Sequence, residues 1–266
     1  MSLQFEEREV QSEDGTGIGF VTFGSGPSLV LVHGSAGTRD AWLPVATAMA
    51  EQFTCHSIDR RGRGRSGDAR EYSLDRERED IEAVLDVAGS GAHLLGHSFG
   101  GICALEAARR FPVGRLVLYE PPLFHSGPKS EELSVQIRSA VKSDQPDEAL
   151  ACFLRGGPEL STAEVSAFRA TPLWKEAVEL APTFAREVDA INRLQSNLEP
   201  YREVSMPTLL LVGTVSAAHL KDASSGLQDT LPNARTVLLD GQGHVANLLV
   251  PDLVAREASD FLLASP

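Results

Sequence analysis

Between residues 28 and 120 the chain alternates in a way that few architectures accommodate. Short apolar runs at Ser28–Val32 (SLVLV), 54–58, 93–95 and 115–119 (RLVLY) are separated by stretches of helical spacing at 38–52, 74–87 and 99–110. In the first of these stretches Trp42, Val45, Ala46 and Met49 fall on one side. A run that is apolar at every position suits a strand buried on both faces of a parallel sheet. Strand–helix alternation of this kind predicts a mostly parallel, doubly wound α/β sheet with helices on both faces. Two strands precede it, at 5–11 and 18–23, joined by the turn Asp14-Gly15-Thr16-Gly17. The alternation resumes late, with strands at 207–212 (PTLLLV) and 234–239 (ARTVLL) and helices at 217–230 and 252–263.

Residues 123–205 break the pattern. They contain no strand-like run and predict helices at 131–141, 147–154, 162–169, 173–179 and 183–194, punctuated by Gly156-Gly157-Pro158 and Pro172. A helical block inserted between two strands predicts a lid over the carboxyl edge of the sheet, where open α/β sheets bind ligands. The expected division is a core of residues 1–120 and 207–266 with a helical cap of 121–206.

Composition narrows the partners. The formal charge is −13, from 37 acidic and 24 basic residues, which disfavours nucleic acid. Cys55, Cys103 and Cys152 are odd in number and far apart, so neither a disulfide framework nor a zinc site is expected; their apolar surroundings suit small buried hydrophobes in a reducing compartment. The opening MSLQFEEREV lacks the apolar core of a signal peptide, and no run approaches the roughly 20 apolar residues of a membrane span. A cytoplasmic protein that contacts neither membrane nor nucleic acid is the expectation.

The chemistry centres on Gly96-His97-Ser98-Phe99-Gly100-Gly101, a G-x-S-x-G pattern directly after a strand and before a helix. A strand that turns at once into a helix puts the serine at a strained apex with positive φ, and only small residues fit two positions to either side. Ser98 is the expected nucleophile, with the helix N-terminus favouring negative charge beside it. His33-Gly34-Ser35-Ala36-Gly37 follows the SLVLV strand. The N–H of Ser35 and that of Phe99 form a candidate oxyanion hole.

Seven histidines compete for the role of base. His33 belongs to the oxyanion loop, His97 is expected to point away from the nucleophile, and His56 and His93 are expected to be satisfied core residues. His125 and His219 are expected in loop or cap positions. His244, in Asp240-Gly241-Gln242-Gly243-His244 after the last strand, is the best base, and the chain order of serine first and histidine last fits.

With HGSAG, IDRRGRGRSG, GHSFGG, LVLYEPP, PTLLLVG and DGQGHVAN in order along nearly the whole chain, the sequence resembles α/β-hydrolase-fold proteins of the single-cap type. The resemblance implies a Ser–His pair and a third, acidic partner. In such proteins the acid usually lies just past the strand that here is PTLLLVG, but Thr214-Val215-Ser216-Ala217 carries no carboxylate, and the first, Asp222, is nine residues beyond Gly213. Some members place the acid at the end of the strand after the nucleophile helix, which here is Glu120. Glu120 is the preferred acid and Asp222 the alternative, with a pair lacking any acid as the third case.

Gly62-Arg63-Gly64-Arg65-Ser66-Gly67 satisfies G-x-G-x-x-G, yet no helix opens directly after it, so a dinucleotide is not expected. No Walker A or HExxH pattern occurs, and neither cofactor nor metal is expected. The expected activity is hydrolysis of a carboxylic ester or related acyl compound of small size. The same three residues would also serve a C–C hydrolase, a lactonase or a cofactor-free perhydrolase of the haloperoxidase type. A non-catalytic ligand-binding protein on this fold is the alternative from another class. Phe153, Phe168, Trp174 and Phe184 are candidate pocket walls in the cap.

Overall fold

The computed structural model describes residues 4–123, 128–171, 173–194 and 197–265. Eight strands form one sheet: β1 (Glu6–Gln11), β2 (Gly17–Gly24), β3 (Ser28–Val32), β4 (Thr54–Ile58), β5 (His93–His97), β6 (Leu116–Tyr119), β7 (Thr208–Gly213) and β8 (Ala234–Leu239). Their order is β1-β2-β4-β3-β5-β6-β7-β8. β2 pairs antiparallel with β1 and β4, and every later pairing is parallel. Successive side chains of a strand point to opposite faces, and β3 shows the consequence. Val30 and Val32 join the core under α2 (Leu74–Ala88) and α3 (Phe99–Arg110), with Ile81, Leu85 and Ile102. Leu29 and Leu31 join the core under α1 (Leu43–Met49), with Trp42, Val45 and Met49. A strand buried on both faces must be apolar throughout, which is why SLVLV shows no polar alternation.

Between β6 and β7 lie α4 (Pro128–Lys142), α5 (Pro146–Gly156), α6 (Thr162–Arg169), α7 (Leu173–Glu179) and α8 (Ala181–Arg193). They share an apolar cluster of their own, including Leu133, Ile137, Leu150, Phe153, Trp174 and Phe184. α8 belongs to both halves: Phe184 and Val188 enter that cluster, while Ala190 and Ile191 enter the main core. The chain then continues through α9 (Ala218–Thr230), the short α10 (Ala246–Leu249) and α11 (Pro251–Leu262). Among the described residues no helix is long and apolar enough to cross a membrane.

Most boundaries fall within two residues of expectation, and three differences have physical causes. The helix expected over 38–52 begins as a 3-10 turn, Arg39–Trp42, and becomes α-helical only at Leu43, because Pro44 lacks an N–H and fits only a first turn. β5 runs on to His97, since the parallel pairing of His97 with Tyr119 extends it to the turn itself. α10 was not expected; it is too short to show a periodicity. Cys55 and Cys103 are buried, but Cys152 is half-exposed on α5, its Sγ beside Glu148 and Arg155. It is not the buried hydrophobe expected. Pro172 and His125 lie outside the described residues.

Candidate active site

Two neighbouring strands are each followed by a non-glycine residue with positive φ. Ser98 follows β5 with φ 53°, and Glu120 follows β6 with φ 46°. For residues with a Cβ this region costs on the order of 1–3 kcal/mol and persists only where the surroundings impose it. At Ser98 they do: its N–H donates to the Tyr119 carbonyl at 2.9 Å, while α3 starts at the next residue. A Cβ at Gly96 would lie 2.5 Å from the Gly100 carbonyl oxygen, one at Gly100 would overlap the His33 carbonyl, and one at Gly34 would meet the Ser98 Cβ at 3.1 Å. The glycines let the elbow close and bring the 33–37 loop against Ser98.

Glu120 is fully buried. Its Oε1 accepts the Gly213 N–H at 2.7 Å, and its Oε2 lies 2.6 Å from Nδ1 of His244. Thus β7, one strand further along, holds one oxygen while the other faces the histidine. Asp222 is exposed on α9. The segment after β7, where the resemblance first directs attention, docks the histidine loop instead. Val215 N–H donates to the Gln242 carbonyl at 3.0 Å and Thr214 Oγ1 accepts from Gly241 N at 2.9 Å. At Gly213 a Cβ would overlap the Gln242 carbonyl.

His244 is buried in a cage of rings. Tyr119 Oη donates to the Gly243 carbonyl and accepts from Ala246 N at 3.0 Å. His97 Nε2 lies 2.8 Å from the His244 carbonyl, and the two imidazoles are 4.6 Å apart between centroids. A carbonyl can only accept, so His97 Nε2 carries a proton. Burial, followed by the nearby His244, drives the His97 pKa well below its ordinary value and keeps the ring neutral. His97 therefore turns toward the loop of His244. Of the other histidines, His56 is a core residue bonded to Thr22 and Ser28. His93 is only half-buried and its Nδ1 has no hydrogen-bond partner among the described residues, which departs from the satisfied core residue expected. His219 lies in the first turn of α9. His33 is fully buried; its Nε2 accepts from Arg60 N at 3.1 Å, so Nδ1 is the protonated nitrogen and donates to the Gly34 carbonyl at 2.7 Å.

Ser98, His244, Ser35 and Phe99 line one cleft. Its other walls come from Pro122, Ser130, Leu133, Phe153, Val188, Ile191 and Leu220, with Gly157 and Pro158. Among the described residues no Lys, Arg, Asp or Glu lines it. Of the four expected aromatic walls only Phe153 reaches the cleft. Phe184 stacks behind it at 4.6 Å, and Phe168 packs on Trp174 at 5.5 Å within the helical block. Helical spacing marks a buried face but not whether that face meets a cavity or another helix. Pro122 and Leu220 carried no sequence signal, since each is brought to the cleft by its neighbours' topology. The Gly62–Gly67 turn precedes α2 by several residues, and Arg60, Arg61 and Arg63 are buried among carboxylates.

The sequence profile described as the alpha/beta hydrolase family matches residues 29–257. A solved α/β hydrolase from Sphaerobacter thermophilus is 33% identical, with a TM-score of 0.86, covering 96% of this chain and 99% of that one. A 2-(acetamidomethylene)succinate hydrolase from Mesorhizobium japonicum is 25% identical over 90% of this chain and 89% of its own length. A pimeloyl-[acyl-carrier protein] methyl ester esterase from Aeromonas hydrophila is 26% identical over 84% and 90%. The chain belongs to the alpha/beta hydrolase family.

Proposed function

We propose that this chain is a serine hydrolase of small, uncharged carboxylic esters or related acyl compounds, with residues 121–206 acting as a cap over the site. The observation that carries the reading is the Glu120 carboxylate 2.6 Å from His244 Nδ1, in the cleft that also holds Ser98. Glu120 fixes the tautomer in which Nδ1 is protonated and Nε2 is free to take a proton. Ser98 Oγ attacks the substrate carbonyl as His244 takes its proton, and the new oxyanion accepts hydrogen bonds from the N–H groups of Ser35 and Phe99. Glu120 stabilises the imidazolium. His244 then protonates the departing alcohol, and water, activated by the same histidine, releases the acid.

The cleft walls support the substrate class. A dicarboxylate of the kind named for the Mesorhizobium relative would meet no cation among the described lining residues, whereas a neutral ester such as a methyl ester would meet apolar walls. A carboxylate behind His244 supports catalysis over the non-catalytic ligand-binding alternative. The fold and the free thiols suit a cytoplasmic enzyme without a cofactor. Turnover of p-nitrophenyl acetate, butyrate and octanoate and of a p-nitrophenyl hemisuccinate tests the proposal. The short neutral esters should lead, the hemisuccinate should trail, and Ser98→Ala should abolish all of them. Turnover by Ser98→Ala within a few fold of wild type would contradict it.

A further inference from the structure

Arg60 and Arg63 are buried, charged side chains that the mechanism above leaves unused. Arg60 is held by Glu77 of α2, with Nε 2.9 Å from Oε2 and Nη2 2.6 Å from Oε1. The same Nη2 is 2.5 Å from Glu187 Oε1 of α8. Arg63 Nη2 also donates to Glu187 Oε1 and lies 2.8 Å from Thr183 Oγ1, another α8 residue. One carboxylate oxygen from the helical block therefore holds both arginines.

Both arginines in turn reach the loop of the proposed oxyanion donor. Arg63 Nη2 is 3.1 Å from the Ser35 carbonyl. Arg60 Nη1 is 3.4 Å from the Gly34 carbonyl, which His33 also holds, and its guanidinium lies 4.6 Å from the ring centre of Phe99, the second donor residue. In a trans peptide the C=O and the following N–H point in opposite directions. Fixing the Gly34 carbonyl toward the buried arginines therefore aims the Ser35 N–H the other way, and Ser35 lines the cleft. Among the described residues Nε and Nη1 of Arg63 have no hydrogen-bond partner, so its hydrogen bonds run through Nη2.

We propose that Glu187 is a positioning residue for the oxyanion hole. It anchors Arg60 and Arg63 against the carbonyls on either side of the Ser35 residue and so couples the seating of α8 to the activity of Ser98; the proposal rests on the serine-hydrolase reading. Loss of one oxyanion donor costs about 10²–10³ in kcat in a well-studied protease. A donor left in place but poorly aimed should cost less. Glu187→Gln should lower kcat for p-nitrophenyl butyrate at least about tenfold while KM stays within about twofold, because the oxyanion contacts form only as charge develops.

Removing one partner from a buried ion cluster can itself unfold a protein. The paired variant Arg63→Leu/Glu187→Leu removes one charge of each sign, leaves Arg60 with Glu77, and should fold while still losing at least about tenfold in kcat. Asp80→Asn is the control for stability alone. It breaks the neighbouring buried pair with Arg61, whose contacts are both 2.7 Å, and touches neither Ser35 nor Phe99. It should lower Tm yet keep kcat per folded molecule within about twofold. The clamp is overturned if the paired variant folds and keeps wild-type kcat, or if Asp80→Asn loses kcat as Glu187→Gln does. Ser98→Ala in the same assay separates the two levels. If it is inactive, wild-type kcat in the paired variant removes the clamp alone. If it remains active, the serine mechanism falls and the clamp with it.

Discussion

Two buried clusters of charge flank the same cleft, and they are built for different ends. In one, Glu120 faces His244, whose ring carries both a donor and an acceptor nitrogen. In the other, Arg60 and Arg63 face Glu77 and Glu187, and a guanidinium can only donate. Burial would raise the Glu187 pKa, but Arg60 and Arg63 overcome it and hold the carboxyl at about 2. The distances in the two clusters are alike, so contact geometry alone does not tell chemistry from scaffolding. What separates them is whether a member can both donate and accept a hydrogen bond and whether the cleft reaches it. His244 lines the cleft; the arginines lie behind Ser35 and Phe99.

The sharpest way to break this contrast is to remove charge from the Glu120–His244 pair. Glu120→Gln should lower kcat by at least about 10²-fold, since the amide no longer stabilises the imidazolium, while Asp222→Asn should change it by less than about threefold. The reverse pattern would move the acid to α9. A smaller effect is expected one layer out. His97→Leu loses the bond to the His244 carbonyl and should lower kcat about tenfold at nearly constant KM. His97→Gln, which restores an N–H donor, should recover part of it; an unaltered kcat in His97→Leu would make that bond irrelevant to the base.

A further effect is on the pH dependence of stability. Because the Glu187 pKa is depressed in the folded state, the unfolded chain binds the additional proton, and the stabilisation present above about pH 4.5 is lost as the pH falls toward 2. Tm measured between pH 6 and 3 should therefore fall less steeply in Glu187→Gln than in wild type. Asp80, raised to about 6 chiefly by burial, acts in the opposite sense in both proteins and cancels in the difference. Parallel profiles would show that the charge of Glu187 contributes nothing to stability.

The sheet was legible because strands buried on both faces leave an unmistakable apolar run, as in SLVLV and TLLLV. The elbow was legible because its steric demands are local: Gly96 and Gly100 are close in sequence to the residue they serve. Glu120 was reached only through the resemblance and the absence of a carboxylate after Gly213, and its partner lies 124 residues away. Tyr119 and His97, which hold the histidine loop, were read as strand and flank, because nothing local tells which loop will return above them. The role of the arginine cluster left no local trace. Nothing in the sequence around Arg60, Arg61 and Arg63 announces that Glu77, Asp80 and Glu187 arrive from two helices to neutralise them. Pairing across such separations is decided by tertiary packing, which period and propensity do not encode.

The account stands on an activated Ser98, and covalent labelling tests that most directly. Wild-type protein treated with a fluorophosphonate should gain one adduct per chain, and peptide mass spectrometry should place it on Ser98. The adduct should be absent from Ser98→Ala and should form much more slowly in Glu120→Gln. A wild-type protein that stays unlabelled under conditions that label other serine hydrolases, or an adduct on any residue other than Ser98, would contradict the account.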